Sequence, residues 1–263
     1  MAQQKLLADR DTDLALPKVR KIHLSDLRDA LAKGFDDFWA MPSHVVFLSL
    51  IYPVLGLILA RMVFGQDVLP LLFPMVAGFA LIGPFAAIGL YELSRRRERG
   101  LETGWTQAFS VLRSPSFGPV LMMGALLLGI FVCWMYAAQT VYDMTFGDTG
   151  PVAMRQFLEN VLTTPQGWVL IAVGNAVGFL FAAFVLAISV VSFPMLLDRP
   201  VGVSSAIATS VRATVTNPVV IAAWGLIVAA ALVLGSLPAL LGLAIVMPVL
   251  GHATWHLYRR IVE

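Results

Sequence analysis

Apolar residues in this chain come in runs long enough to cross a bilayer rather than in the short alternations of a half-buried strand. The hydrocarbon core is about 30 Å thick and takes roughly 20 apolar helical residues to cross. Runs free of Asp, Glu, Lys and Arg extend from Pro42 to Ala60, Val68 to Tyr91, Pro115 to Tyr142, Pro165 to Leu197 and Ala213 to Tyr258. A straight helix over the last run would be about twice as long as the bilayer is thick. It must fold back, and Gly235-Ser236-Leu237-Pro238 supplies the turn. The pattern predicts an all-α polytopic bundle of six transmembrane helices, near 43–64, 68–91, 117–142, 167–193, 218–235 and 238–258. These form one membrane domain over 23–263 behind a flexible tail, 1–22.

Shorter amphipathic stretches separate the runs. Three of them each end on a proline that opens an odd-numbered span: Ala30 to Pro42, Ala108 to Pro115 and Ala206 to Pro218. Extended upstream, the first shows Leu24, Leu27, Leu31, Phe35 and Phe38 at helical spacing, and the second shows Trp105, Phe109 and Leu112. Such helices lie in the membrane interface with the apolar face down. Pro42, Pro115 and Pro218 suit a first helical turn, where the missing N–H costs nothing. Pro84, Pro194 and Pro248 mark comparable points in the even spans. The chain therefore reads as a threefold internal repeat of interfacial helix, span, hairpin and span. Between spans three and four, Val152, Phe157, Leu158, Val161 and Leu162 predict one further short surface helix.

Charge sets the orientation. All the lysines and arginines except Arg61 and Arg155 fall on the side that carries both termini, so the positive-inside rule makes the termini cytoplasmic. With 59% hydrophobic and 13% charged residues and a mean hydropathy of +0.82, the composition excludes an ordinary soluble domain. The net charge of +2 does not point to nucleic acid, because the basic residues cluster beside the spans. The partners expected are the lipid bilayer and other membrane proteins or further copies of the chain. Cys133 is the only cysteine, which excludes an intrachain disulfide framework. The charged first forty residues lack the short apolar core and cleavage site of a signal peptide, so the first span is expected to serve as the targeting signal.

Candidate chemistry is sparse. His252 and His256 stand four apart on one face of the last span, a spacing that lets two imidazoles share a metal, and His44 belongs to the same side of the membrane. No neighbouring carboxylate is evident in the sequence, and Trp255 and Tyr258 suggest an interfacial aromatic belt instead. Glu92 is the carboxylate nearest the membrane interior, where a proton or cation path would use it; Arg95 and Arg96, three and four residues on, favour a helix-end ion pair. Asn175 and Gln139 are the deepest polar groups within spans, and Gly174 with Gly178 forms a GxxxG helix-packing motif. Walker, GxSxG and HExxH signatures are missing, so no enzyme and no cofactor is expected.

The stretches Leu81 to Gly100 (LIGPFAAIGLYELSRRRERG) and Pro248 to Arg260 (PVLGHATWHLYRR) resemble a bacterial family of predicted integral membrane proteins, domain of unknown function 2189. That resemblance implies an inner-membrane location and a topology but no activity. Some members are labelled putative cytochrome c oxidase subunits; three histidines near the membrane are too few for a haem–copper core, which leaves an accessory place beside an oxidase. Three functions follow as expectations. The first is a non-catalytic structural, assembly or accessory factor. The second is a transporter or channel for a small neutral or lipid-like solute, and the third is the oxidase-associated subunit.

Overall fold

The computed structural model describes residues 17–41, 56, 69–147, 154–238 and 241–263. Its described elements are helical: α1 (Leu24–Ala40), α2 (Leu69–Ala86), α3 (Ile88–Glu98), a 3-10 helix (Trp105–Arg113), α4 (Phe117–Phe146), α5 (Met154–Thr163), α6 (Pro165–Ser189), α7 (Ser192–Asp198), α8 (Val203–Thr216), α9 (Pro218–Ser236) and α10 (Leu243–Ile261). Among the described residues, four helices are long and apolar enough to cross a membrane: Phe73–Glu98, Phe117–Phe146, Pro165–Asp198 and Pro218–Ser236. They carry exposed Leu121, Met122, Phe179, Leu180, Leu226 and Val233, side chains that water would not tolerate in such density and lipid would.

The expected first span, 43–64, lies outside the described residues apart from Gly56. The expected sixth begins later than the sequence suggested, at Leu243, and its C-terminal half is packed among other helices. The turn before it is where the glycine and proline predicted it. Gly242 meets the backbone of Gly235 so closely that a Cβ would come within 2.7 Å of the Gly235 carbonyl oxygen. A short helix precedes a long one at the 3-10 helix ahead of α4 and at α8 ahead of α9, where Pro218 occupies the first turn; the segment that follows α1 lies outside the described residues. The middle of the three expected segments winds as 3-10 rather than α, consistent with its shorter sequence. The helix expected between spans three and four is α5.

The chain divides into two compact units. One comprises residues 51–83 and 124–185, and Trp134 is its pivot. The indole Nε1 donates to the Pro74 carbonyl at 2.7 Å, and the ring packs on Phe181. Gly78 and Gly178 lie against that ring, Gly178 with its would-be Cβ 3.1 Å away. Gly174 of the GxxxG motif faces open space. Trp134→Phe keeps most of the ring but removes the hydrogen bond by which α4 holds the Pro74 carbonyl of α2. It is expected to lower stability by about 1–2 kcal/mol, read from the melting temperature in detergent.

The other unit comprises residues 1–50, 84–123 and 186–263. Phe38, Met41, Leu90, Leu93 and Ala108 form one of its cores. Three close approaches assemble it. Gly34 of α1 lies against the α10 backbone at Val249 and Ala253, Gly251 of α10 against Leu90 of α3, and Gly89 of α3 against Ala108 of the 3-10 helix. The two ends of the described chain meet in a β-bridge between Val19 and Val262, with the Arg20 N–H donating to the Ile261 carbonyl at 2.8 Å.

Candidate functional site

The small residues on either side of His252 determine what surrounds it. Gly251 admits α3 and Ala253 admits α1, so His252 is held between the two helices with no solvent exposure. Asp37, one turn beyond Gly34 on the same face of α1, is carried to the same place, and α3 contributes Ser94 and Arg97. Ser94 Oγ lies 2.5 Å from Asp37 Oδ2 and 2.7 Å from His252 Nδ1. His256 Nε2 lies 2.9 Å from the same Asp37 oxygen, and the Arg97 guanidinium pairs with Oδ1. His252 Nε2 is buried without a hydrogen-bond partner.

Asp37 is the centre of this cluster. Burial alone would raise its carboxyl, but hydrogen bonds from His256 and Ser94, with help from His252 and Arg97, outweigh burial and hold it down at about 2. The group is therefore a carboxylate throughout the physiological range, with its charge matched by Arg97. Arg97 reaches outward from the pair, its side chain 41% exposed against 4% for Asp37.

Two further ionic clusters flank the first. Glu92, buried on α3, takes both Arg95 Nε at 2.8 Å and Arg95 Nη2 at 3.0 Å, with Arg96 3.7 Å away and a hydrogen bond from Ser110 at 3.3 Å. Its surroundings are those of a helix-end ion pair. Near the end of α10, Trp255 Nε1 donates to Glu98 at 3.0 Å and Tyr258 Oη to Asp198 at 2.9 Å. Arg259 bridges the same two carboxylates and Arg99 adds a contact to Asp198. Trp255 and Tyr258 are each 1% exposed, so they serve this interior network and do not form the lipid-facing belt expected from sequence.

Asn217 does for the N-terminal segment what these ion pairs do for the helices. Its Oδ1 accepts from the Ile22 N–H at 2.8 Å and its Nδ2 donates to the Arg20 carbonyl at 2.9 Å. Asn217→Ala is expected to release residues around Lys18 to Lys21. Trypsin should then cut there several-fold faster, with the rest of the fold retained and a global loss of only about 1 kcal/mol.

The sequence candidates thus fare differently. His252 and His256 do share a face and a partner, but that partner, Asp37, is 215 and more residues away in sequence and carries no local motif. Among the described residues no group of three His, Cys, Asp or Glu is arranged to hold a metal ion, and His44 lies outside them. Asn175 turns back on its own helix, donating to the Ile171 carbonyl at 2.7 Å, and Gln139 donates to Asp143. Asp37 and Ser94 were missed. The signal that could have found Asp37 is an acidic residue on the apolar face of an amphipathic helix, beside Phe38.

Residues 71–198 match the family described as predicted integral membrane protein, domain of unknown function 2189. The match contains the Leu81 to Gly100 stretch on which the resemblance rested and ends before Pro248 to Arg260. No curated protein and no solved structure matches the chain.

Proposed function

We propose that this chain, a predicted integral membrane protein by its family, is a non-catalytic structural, assembly or accessory factor that works through contacts with other membrane components. The observation that carries this reading is where its ionisable groups go. Asp37, Glu92, Glu98 and Asp198 are each committed to arginines or histidines, and three of the four link helices distant in sequence. Such pairs fix one arrangement of helices, and breaking one leaves an uncompensated charge.

We place the chain in the bacterial inner membrane with six spans and both termini in the cytoplasm, built on a threefold repeat. The short helices at α1, 105–113 and α8 supply the repeating feature, and the lysine and arginine bias supplies the orientation. A reporter fused after Arg97 should be cytoplasmic and one after Asp148 external; the reverse in either fusion overturns the topology.

The decisive experiment for function is gentle purification of the tagged chain from its native membrane with mass spectrometry of what accompanies it. A reproducible stoichiometric partner supports the accessory reading, and respiratory oxidase subunits among the partners would place it beside that enzyme. A chain that purifies alone overturns it in favour of transport of a small neutral or lipid-like solute. One observation favours that second reading: the second and fourth apolar segments are interrupted at Ala87 and at Val190–Val191. Against it, the second interruption is closed by a neighbour. Ser210 of α8 accepts from the Val191 N–H at 3.2 Å and donates to the Ala187 carbonyl at 2.8 Å, so these freed backbone groups do not line a path.

A further inference from the structure

Arginines in the unit that contains α1 and α10 fall into two classes. Arg95, Arg97, Arg99, Arg259 and Arg260 are each paired with a carboxylate and serve the packing of the helices. Arg28, Arg113 and Arg212 are exposed and meet no carboxylate among the described residues. Each of these three stands on a different short helix: α1, the 3-10 helix and α8.

Their own helices leave them unpaired. Asp26 and Asp29 flank Arg28, but both are taken by Arg260, Asp29 at 2.9 Å and Asp26 at 3.5 Å. The 3-10 helix and α8 hold no acidic residue, and Arg113 and Arg212 are their only charges.

The neighbours of each cation are apolar and equally exposed. Residues three, four and seven apart share a helical face, so Leu24, Arg28, Phe35 and Trp39 form one stripe of α1, and all four are exposed. Phe35 and Trp39 meet edge to face with ring centroids 5.8 Å apart. Lys33 and Asp36 lie off that stripe, three apart, and their charges offset. Exposed Leu112 precedes Arg113, and exposed Val211 and Val215 lie beside Arg212. A cation set among exposed leucine, valine and aromatic side chains suits the headgroup layer, where apolar groups enter the acyl boundary and the charged tip meets phosphate. Trp39 supplies the amphipathic ring that this layer favours.

We propose that Arg28, Arg113 and Arg212 bind the headgroups of net-anionic phospholipids, each anchored by the exposed apolar side chains of its own helix. The guanidinium offers a fork of N–H donors that fits phosphate oxygens. A zwitterionic headgroup carries an ammonium that repels the arginine, and an anionic one does not. The inference deepens the reading of a factor that works through membrane contacts, and it rests on that reading only for the membrane itself, with no protein partner required.

The test titrates the full-length chain, purified in detergent and stripped of lipid, with phosphatidylglycerol or phosphatidylcholine and counts bound lipid by native mass spectrometry. The wild type is expected to bind phosphatidylglycerol at least about fivefold more tightly, the attraction typical of one cation at an anionic surface. Each of Arg28→Gln, Arg113→Gln and Arg212→Gln should weaken one bound phosphatidylglycerol by about fivefold, and the triple variant should bind the two lipids alike. Lys33→Gln, the same charge change off the stripe, should keep the preference. Equal affinity of the wild type for the two lipids overturns the proposal. So does a triple variant that keeps the preference, or Lys33→Gln that loses it. The three arginines hold no ion pair among the described residues, so the variants should melt like the wild type; if the triple variant fails to fold, the single variants decide. A chain that purifies without a protein partner sinks the accessory reading and leaves this titration unchanged, so the two fail separately.

Discussion

Replacing Asp37 by alanine is expected to cost about 3–5 kcal/mol of stability, because it removes the anion from a site that keeps its cation and two imidazoles. Arg97 loses the carboxylate it is paired with, and Ser94 and His256 lose a shared acceptor. Thermal unfolding in detergent should show the loss as a melting temperature lower by roughly 10 °C or more, given about 2–4 °C per kcal/mol for a chain of this size. Asp37→Asn should fall between, since the amide can still accept from Ser94 but cannot neutralise Arg97. The pH dependence has a definite sign. The folded carboxyl titrates at about 2, below its ordinary 3.8, so its stabilisation is complete above about pH 4 and is lost as pH falls toward 2. The difference corresponds to about 2 kcal/mol, which Asp37→Ala should erase. A variant that melts like the wild type at neutral pH would mean that the cluster holds nothing together.

What the sequence disclosed and what it hid divide along a physical line. Lipid solvates side chains one residue at a time, so apolar runs and their charged ends are visible without knowing what touches what. Helices α4, α6 and α9, the Gly235 hairpin and α5 were all legible for that reason. The buried ionic clusters were not, because each is made by pairing across long separations: Asp37 with His256, Glu98 with Arg259, Asp198 with Arg99. Glu92 was legible because its arginines are three and four residues away on the same helix. His252 and His256 show the middle case. Their shared face followed from spacing alone, whereas the carboxylate between them came from α1, a helix whose sequence looked merely interfacial. Trp255 and Tyr258 misled in the same way, since an aromatic near a span end reads alike whether it meets a headgroup or a buried carboxylate.

The second large effect is expected at Gly34, where no chemistry is lost at all. A Cβ built there would sit 2.7 Å from the Val249 carbonyl oxygen and 2.7 Å from both N and Cβ of Ala253. Two of those three atoms are backbone in the middle of α10, which cannot swing aside as the tip of a flexible side chain could. Gly34→Ala must therefore push α1 off α10 by a few tenths of an ångström, and Gly34→Val by more. Overpacking of this kind costs about 1–3 kcal/mol, and more where helix backbones meet. The consequence extends along α1, because Asp37 and Phe38 follow within about one turn. Separating the helices at Gly34 lengthens the Asp37 to His256 and Asp37 to Ser94 contacts, so the packing penalty and part of the Asp37 penalty should appear together. Gly34→Val is expected to lower the melting temperature at least as much as Asp37→Ala. In the double variant the two losses should fall well short of additive, since the second substitution attacks contacts the first has already opened. Full additivity would mean that Asp37 is held in place by something other than the Gly34 crossing.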